Sequence, residues 1–128
     1  MPAIIPAYLI AALISVESAG NDQAIRHNAN GTAEYGCLQI AKRTVDDVNR
    51  IVGMNVYTYT DTFDRSKSIA MAKIYLGHYA TERRLGHKPD EEDYARIWNG
   101  GPNGYKKPST LAYWGKVGDA WRHANGFR

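Results

Sequence analysis

An apolar stretch near the start of the chain restricts the fold more than any other feature of the sequence. Residues 2–16 are almost entirely apolar and run directly into Glu17, and the first basic residue is Arg26. A signal peptide begins with positive charge, and a membrane-spanning helix needs about 20 apolar residues. We therefore expect no signal peptide in this chain and no stable membrane insertion. The stretch predicts a buried core helix from Pro6 to a stop at Gly20, with one apolar face formed by Tyr8, Leu9, Ala12, Leu13 and Val16.

The length and composition are those of one ordinary globular domain. The chain has 128 residues, of which 44% are hydrophobic and 23% charged, so residues 1–128 are expected to form a single domain around one core. The formal net charge is +3, divided into −3 for residues 1–64 and +6 for residues 65–128. The basic half favours an anionic partner, but its basic residues are interspersed with acids, which argues against nucleic acid.

The cysteine and histidine content argues against a metal enzyme. Cys37 is the single cysteine, so neither an internal disulfide nor a cysteine-based zinc site can form. The four histidines are widely spaced and include no ligand-like H-x-x-x-H pair. We expect no metal and no cofactor.

Caps and apolar spacing predict two helices in the middle of the chain. Thr44 with Asp47 forms a capping-box pattern, which predicts a helix that begins there and ends at Gly53. Asp64 is expected to cap a longer helix that continues to Gly86, because apolar residues recur there at spacings of three and four.

Two more helices are predicted in the C-terminal part. Residues 90–93 are all acidic and follow Pro89, an arrangement that suits the N-terminal end of a helix dipole. This helix is expected to run to Trp98 and to break at residues 99–102, which have the sequence Asn-Gly-Gly-Pro. Ser109 is expected to cap the last helix.

A β-hairpin is predicted between the first two helices. Asn30 and Gly31 suit the two central positions of a tight hairpin turn, since both residues adopt positive φ at low cost. The fold class that follows is α+β, mainly α: a single domain, mostly helical, with a short β-hairpin.

Two carboxylates lie on either side of this turn in the sequence. Glu17 is at the polar end of the apolar helix, where burial would raise its pKa and keep a proton available for a leaving oxygen. Glu34 lies three residues after the turn. A helix end facing a hairpin strand would place the two acids across a groove, as glycoside hydrolysis uses them. Each acid taken alone fits a solvated side chain better than a catalytic group.

The segment around these acids resembles the lysozyme-like superfamily, and in particular soluble lytic transglycosylase (SLT) domains. Glu17-Ser18 resembles the catalytic E-S motif of those domains, and residues 36–39, Gly-Cys-Leu-Gln, resemble their G-L-M-Q motif. The run from Glu17 to Ile40 is also similar to animal-type lysozyme, with Glu34 where those enzymes carry Asp.

Further motifs follow in the order in which the family has them, up to Val117. They are Tyr75-Leu76, similar to the Y-L pair; residues 97–101, Ile-Trp-Asn-Gly-Gly, similar to A-Y-N-x-G; and Tyr113, similar to the tyrosine of the last motif. Each match is weak by itself, whereas the ordered set is specific.

The resemblance implies a lysozyme-like fold and a set of site residues. It implies Glu17 and Glu34 as catalytic residues and a substrate-binding set of Ser18, Gln39, Tyr75, Trp98, Asn99 and Tyr113. The residues alone leave other roles open. Gln39 is equally suited to tying down a strand end, Asn99 to a helix C-cap, and the aromatic rings to core packing.

The implied activity is cleavage of the β-1,4 bond between N-acetylmuramic acid and N-acetylglucosamine in peptidoglycan. In a lytic transglycosylase, Glu17 acts as acid and then as base while the muramic acid closes a 1,6-anhydro ring. In a hydrolytic lysozyme, water completes the reaction with help from Glu34. The downstream motifs favour the first outcome. A non-catalytic peptidoglycan-binding or virion structural protein is a third interpretation, but it gains nothing from an acid at position 17.

The expected partner is the glycan strand of peptidoglycan, with the chain acting as a monomer on the cell wall in the periplasm or outside the cell. The short chain without an expected signal peptide favours a phage-encoded or virion-associated origin and a bacteriolytic role.

Overall fold

Helices dominate residues 4–124, the part of the chain that the computed structural model describes. The helices are α1 (Ala7–Ser18), α2 (Lys42–Val52), α3 (Arg65–Tyr79), α4 (Glu82–Leu85), α5 (Glu91–Gly100) and α6 (Leu111–Ala124). The strands are β1 (Ile25–His27), β2 (Ala33–Tyr35) and β3 (Ile40–Ala41), and 3-10 turns span Tyr59–Phe63, Gly104–Lys106 and Pro108–Thr110. The predicted fold class, α+β and mainly α, is confirmed.

The apolar stretch forms the predicted core helix. The carbonyl of Pro6 accepts the first helical hydrogen bonds of α1, from the backbone N–H of Leu9 and Ile10. Tyr8 was expected on the buried face, but it is exposed and stacks on Trp121 with ring centroids 5.2 Å apart. The buried residues cover more of the helix than one face: Leu9, Ile10, Ala12, Leu13 and Ile14. The helix ends at Ser18, and Pro2 and Ala3 lie outside the described residues.

Backbone packing divides the described chain into two compact units. One contains residues 17–75, and the other contains residues 4–16 together with residues 76–124. Within residues 4–124, no helix has both the length and the apolar character that crossing a membrane requires.

The sheet belongs to the unit of residues 17–75 and contains three antiparallel strands in the order β1-β2-β3. Arg26 lies opposite Glu34 in the β1–β2 pair, and Tyr35 lies opposite Ile40 in the β2–β3 pair. The sequence predicted only the hairpin. The third strand is two residues long and fully buried, so it is too short to show an alternating pattern.

The hairpin turn differs from the predicted one. The loop spans residues 28–32, closed by the backbone N–H of Asn28 donating to the carbonyl of Thr32 at 2.8 Å. Gly31 has a φ of +87°, but among the described non-glycine residues only Ala19 and Gln39 have a positive φ. Asn30 instead acts through its side chain, whose Oδ1 accepts from the backbone N–H of Thr32 at 3.1 Å, as in an Asx turn.

Helix α2 starts earlier than predicted. It begins at Lys42, directly after β3, with Ala41 at the N-cap position and no side-chain cap. The capping box predicted from Thr44 and Asp47 is therefore wrong, and Asp47 pairs with Arg50 at 2.7 Å. The predicted end is correct: Gly53 adopts a left-handed φ of +90°.

Helix α3 begins as predicted and ends early. Asp64 Oδ1 accepts from the backbone N–H of Lys67 at 3.0 Å, which is the expected N-cap contact. The helix stops at Tyr79 rather than continuing to Gly86. The next turn is the separate helix α4, because Thr81 Oγ1 caps it by accepting from the N–H of Arg84 at 3.2 Å.

The C-terminal boundaries also shift. Helix α5 starts in the predicted acidic stretch. The structure adds a reciprocal capping box there between Asp90 and Asp93, which the sequence did not predict. It continues to Gly100, so Asn99 lies inside the helix and not in a break after Trp98. Ser109 lies in the 3-10 turn Pro108–Thr110 and does not cap α6.

The loop between α5 and α6 is fixed from the helix side by Arg96. Its Nε donates to Thr110 Oγ1 at 2.8 Å, and its Nη2 donates to the carbonyl of Lys107 at 3.0 Å. A Cβ atom at Gly104 would lie 2.0 Å from the carbonyl oxygen of Arg96. The glycine-rich loop therefore packs directly on the α5 backbone.

The first prediction concerns His87, whose Nε2 lies 2.8 Å from Asp93 Oδ2. The hydrogen bond and the charge of Asp93 raise the pKa of His87 above its ordinary value. Asp93→Asn keeps an oxygen for the N–H of Asp90 but removes the charge. NMR titration should show the His87 pKa falling toward its ordinary value in this variant.

The same pair sets a pH dependence of stability. A raised histidine pKa contributes stability in full below the unfolded-state pKa, and the contribution is lost as pH rises through the folded-state pKa. Wild type should therefore lose unfolding free energy in that window, while Asp93→Asn should not show this loss. Identical His87 titrations in the two proteins would contradict the pairing.

Candidate functional site

Glu17 is the penultimate residue of α1 and is half-buried. The neighbouring Ser18 fixes this helix end, because its Oγ donates to the backbone carbonyl of Cys37 at 2.8 Å. After Ser18 the chain passes through two left-handed residues, Ala19 at φ +53° and Gly20 at φ +85°. The E-S and Gly-Cys-Leu-Gln motifs, which lie about twenty residues apart in the sequence, are thus in direct contact.

The Gly-Cys-Leu-Gln motif forms a tight turn between β2 and β3. The backbone N–H of Gln39 donates to the carbonyl of Gly36 at 3.1 Å, and Gln39 itself has a positive φ of +53°. The Gln39 side chain closes the turn, with its Nε2 donating to the carbonyls of Gly36 at 2.9 Å and Ala24 at 3.3 Å. Gln39 is 8% exposed, and its amide N–H groups hold the backbone.

Gly36 is required at its position for two separate reasons. Its φ is +80°, and a Cβ atom there would lie 1.7 Å from the carbonyl oxygen of Thr62. That carbonyl is held in place by Ser68, whose Oγ donates to it at 2.8 Å. The turn therefore lies directly on the segment that leads into α3.

Cys37 is completely buried in this turn. Burial raises the pKa of its thiol above the ordinary value. The charge of Arg65 opposes this rise, and the charge and hydrogen bond of the Asp22 carboxylate add to it. Arg65 is itself bound to Asp22 Oδ1 at 2.8 Å and to the carbonyl of Gly20 at 2.6 Å. The thiol is thus protonated near neutral pH and is a packing group rather than a nucleophile.

Glu34 forms an ion pair with Arg26 across the hairpin. Arg26 Nε donates to Glu34 Oε1 at 3.0 Å, and Arg26 Nη2 contacts the same oxygen. The Glu34 side chain is 22% exposed and that of Arg26 is 57% exposed. The sequence alone does not reveal this partner. The five-residue loop places positions 26 and 34 opposite one another, whereas a two-residue turn at Asn30-Gly31 would have placed His27 there.

The other predicted binding residues lie on three helices. Tyr75 is half-buried on α3, in the unit of residues 17–75. Trp98 and Asn99 lie in the last turn of α5, half-buried and exposed respectively, and Tyr113 is half-buried near the start of α6. These three belong to the other unit. The contacts described above join Ser18 with the turn that contains Gln39.

Among the described residues, no cluster of three or more histidine, cysteine, aspartate or glutamate side chains is arranged to hold a metal ion.

Comparison with solved structures defines the class of fold. The chain matches the lysozyme of Tapes japonica at a TM-score of 0.75 and 26% identity, covering 91% of this chain and 90% of that one. It matches the lysozyme of Meretrix lusoria, solved in complex with Aeromonas hydrophila PliI, at a TM-score of 0.80 and 22% identity, covering 100% and 99%. The fold is lysozyme-like, as the sequence motifs implied.

Comparison with family profiles defines the family. The transglycosylase SLT domain profile matches residues 3–115, and the chain belongs to this family. The motif resemblance is thereby confirmed.

Two relatives of known name match shorter segments. A lysozyme of Ostrea edulis is 34% identical over 82 residues, which are 64% of this chain and 56% of that protein. A lysozyme of Magallana gigas is 69% identical over 26 residues, 20% of this chain and 19% of that protein. The chain thus matches about half or less of the length of these relatives.

The second prediction tests the turn at Gly36. Gly36→Ala should destabilise the protein by about 3 kcal/mol or more, since overpacking against Thr62 adds to the cost of a left-handed alanine. Gly31→Ala is a matched control, because Gly31 has a similar φ of +87° with no atom within 4 Å of the added Cβ. It should cost only about 1 kcal/mol. Urea denaturation measures both, and equal losses would contradict a steric role for Gly36.

Proposed function

We propose that this protein is an enzyme that cleaves the β-1,4 bond between N-acetylmuramic acid and N-acetylglucosamine in peptidoglycan at the cell wall. The observation that carries the proposal is a half-buried Glu17 at the end of α1, with its neighbour Ser18 bound to the Gly-Cys-Leu-Gln turn. These residues lie inside the segment that matches the SLT family. The lysozyme names of the relatives support the same substrate class.

Glu17 acts as the general acid in this proposal. Its carboxyl donates a proton to the glycosidic oxygen as the bond from that oxygen to C1 of the muramic acid breaks. The location supports this role, because Glu17 is half-buried and its carboxyl is therefore only partly hydrated. Partial dehydration disfavours a charged carboxylate.

We propose the lytic transglycosylase outcome for the second half of the reaction. The 6-hydroxyl oxygen of the muramic acid attacks C1, its proton passes to the Glu17 carboxylate, and a 1,6-anhydro ring forms. The ion pair between Arg26 and Glu34 supports this choice. A carboxylate whose charge is partly compensated by a guanidinium is a weaker nucleophile and a weaker stabiliser of positive charge on the sugar ring.

Hydrolysis by a lysozyme mechanism is the second candidate. It is favoured by the lysozyme names of the relatives and by the presence of a second carboxylate, Glu34, on the sheet next to the Gly-Cys-Leu-Gln turn. In that mechanism Glu34 acts on water or on the sugar, and the products carry ordinary reducing ends.

The predicted binding residues fall into two groups in the proposal: residues that hold the protein backbone and residues that contact the sugar. Ser18 and Gln39 act mainly by fixing the helix end and the turn beside Glu17, since the hydroxyl proton of Ser18 and the amide N–H groups of Gln39 are used within the protein. Tyr75, Trp98 and Tyr113 offer ring faces for sugars, and Asn99 offers an exposed amide. The chain acts as a monomer on glycan strands, and a phage-encoded, bacteriolytic role remains part of the proposal.

The third prediction tests the general acid. Glu17→Gln keeps the side-chain volume but cannot donate the proton, so cleavage of purified sacculi should fall about 10²–10⁴-fold. Glu82→Gln, which removes a carboxylate in the first turn of α4, is the matched control and should cleave sacculi at the wild-type rate. Thermal unfolding checks that both variants fold. A Glu17→Gln variant within a few-fold of wild type would overturn the assignment.

The fourth prediction separates the two outcomes. For a transglycosylase, mass spectrometry of wild-type digests should show anhydro-muropeptides, lighter by one water than reducing-end products. Glu34→Gln should then retain clearly more activity than Glu17→Gln, whose loss is about 10²-fold or greater. Reducing-end sugars as the sole product, together with an inactive Glu34→Gln, would establish the hydrolytic mechanism instead.

A further inference from the structure

The end of α2 and the loop after it form a surface that the proposed reaction does not use. We name it the α2 loop patch, and its cavity of about 480 Å³ is lined by Asp46, Asn49, Arg50, Gly53, Met54 and Asn55. Four exposed apolar side chains lie in the same stretch of sequence as the lining residues: Val52, Met54, Val56 and Tyr59. A cavity of this size lies in the range of small-molecule sites, about 300–1,000 Å³.

The loop in this patch is preformed by one side chain. Asn49 Oδ1 accepts from the backbone N–H of Val56 at 3.1 Å and of Tyr57 at 3.0 Å, and its Nδ2 donates to the carbonyl of Tyr57 at 2.9 Å. Gly53 adds the left-handed cap of α2. A loop already held in place loses little conformational entropy when it binds a ligand.

The charges at the cavity are nearly balanced. Its lining contains one acid, Asp46, and one base, Arg50, and Arg50 is paired with Asp47 at 2.7 Å. Lys42 lies over the ring of Tyr59 at 5.4 Å, and the Tyr59 hydroxyl donates to Asp46 Oδ1 at 2.9 Å. This balance offers no strong field for a phosphate or a polyanion, and it favours an uncharged ligand.

The chemistry of the patch suits a sugar. Met54 is 65% exposed and presents a flexible apolar surface. Asp46 and Asn55 supply carboxylate and amide groups beside it, and Asn55 is exposed. An N-acetylhexosamine has an apolar C–H face with hydroxyl and amide groups around its rim, so it matches an apolar surface bordered by donors and acceptors.

We propose that the α2 loop patch is a second glycan-binding site, which takes an uncharged N-acetylglucosamine residue of the same polymer that the enzyme cleaves. This inference rests on the proposed function for the identity of the polymer. When this site holds one part of a long strand, the glycosidic bonds of the same strand have a higher local concentration at the catalytic residues. A short substrate cannot reach both sites, so its cleavage is unchanged.

The first experiment measures binding to the wall. In a Glu17→Gln background, which leaves sacculi intact, sedimentation with insoluble peptidoglycan compares Met54→Ala/Asn55→Ala with the unmodified patch. Loss of one apolar contact and one hydrogen bond should weaken binding by about fivefold to tenfold. The matched control is Ile4→Ala/Ser109→Ala, which removes an exposed apolar and an exposed polar side chain elsewhere. Unchanged binding of the patch variant, or an equal loss in the control, overturns the proposal.

The second experiment compares substrates with Glu17 intact. The patch variant should digest sacculi more slowly by a similar factor and should cleave a short soluble glycan fragment within twofold of wild type. An equal loss on both substrates would place the patch in the catalytic site and overturn a second site.

A titration with triacetylchitotriose keeps the test independent of cleavage. The NMR signals of the backbone amides of Asp46 and Asn49 should shift in wild type and should not shift in the patch variant. If the protein cleaves no peptidoglycan, the proposed function fails, and this titration still decides the patch. No shift at saturating trisaccharide overturns it.

Discussion

The backbone of Gly36 approaches the carbonyl of Thr62 so closely that no side chain fits between them, and the local arrangement around Glu17 follows from this contact. Ser68 fixes the Thr62 carbonyl, and the turn beginning at Gly36 brings Cys37 to the hydroxyl of Ser18. Because Ser18 lies one residue after Glu17, this hydrogen bond from the Ser18 hydroxyl to the Cys37 carbonyl positions the end of α1. In the proposed reaction, Glu17 placed in this way loses little freedom when it transfers the proton, which is the advantage of a preorganised group.

The sequence predicted those helix boundaries that depend on a local side-chain cap. Asp64 caps α3 as expected, and α5 begins in the predicted acidic turn, where Asp90 is the cap. An N-cap carboxylate reaches N–H groups only two or three residues away, so such a start is local in the sequence. The cap predicted at Thr44 is wrong because the start of α2 is set by strand pairing and not by a local side chain. Strand β3 ends where α2 begins, so pairing with β2 decided the start of the helix and overrode the cap pattern. That pairing involves residues that precede Thr44, and the four-residue cap pattern from Thr44 to Asp47 does not contain them.

The candidate site shows the same division. The motifs identified Glu17, Ser18 and the Gly-Cys-Leu-Gln turn in order, but the sequence did not reveal how their polar atoms are used. The sequence is compatible with Gln39 either as a ligand for sugars or as a residue that ties down the backbone. In the structure its amide N–H groups donate to the carbonyls of Gly36 and Ala24. The Arg26–Glu34 pair depends on hairpin register, and a change of one residue in loop length alters every cross-strand partner.

The buried thiol of Cys37 has a consequence for observing this molecule in motion. A protonated thiol with no exposed surface reacts with a modifying reagent only when the surrounding turn opens. Since the chain has one cysteine, its labelling rate reports the opening of a single known place, next to the helix end that bears Glu17. The native Cys37 can therefore be used to measure how often that turn opens, and no cysteine has to be introduced by mutation.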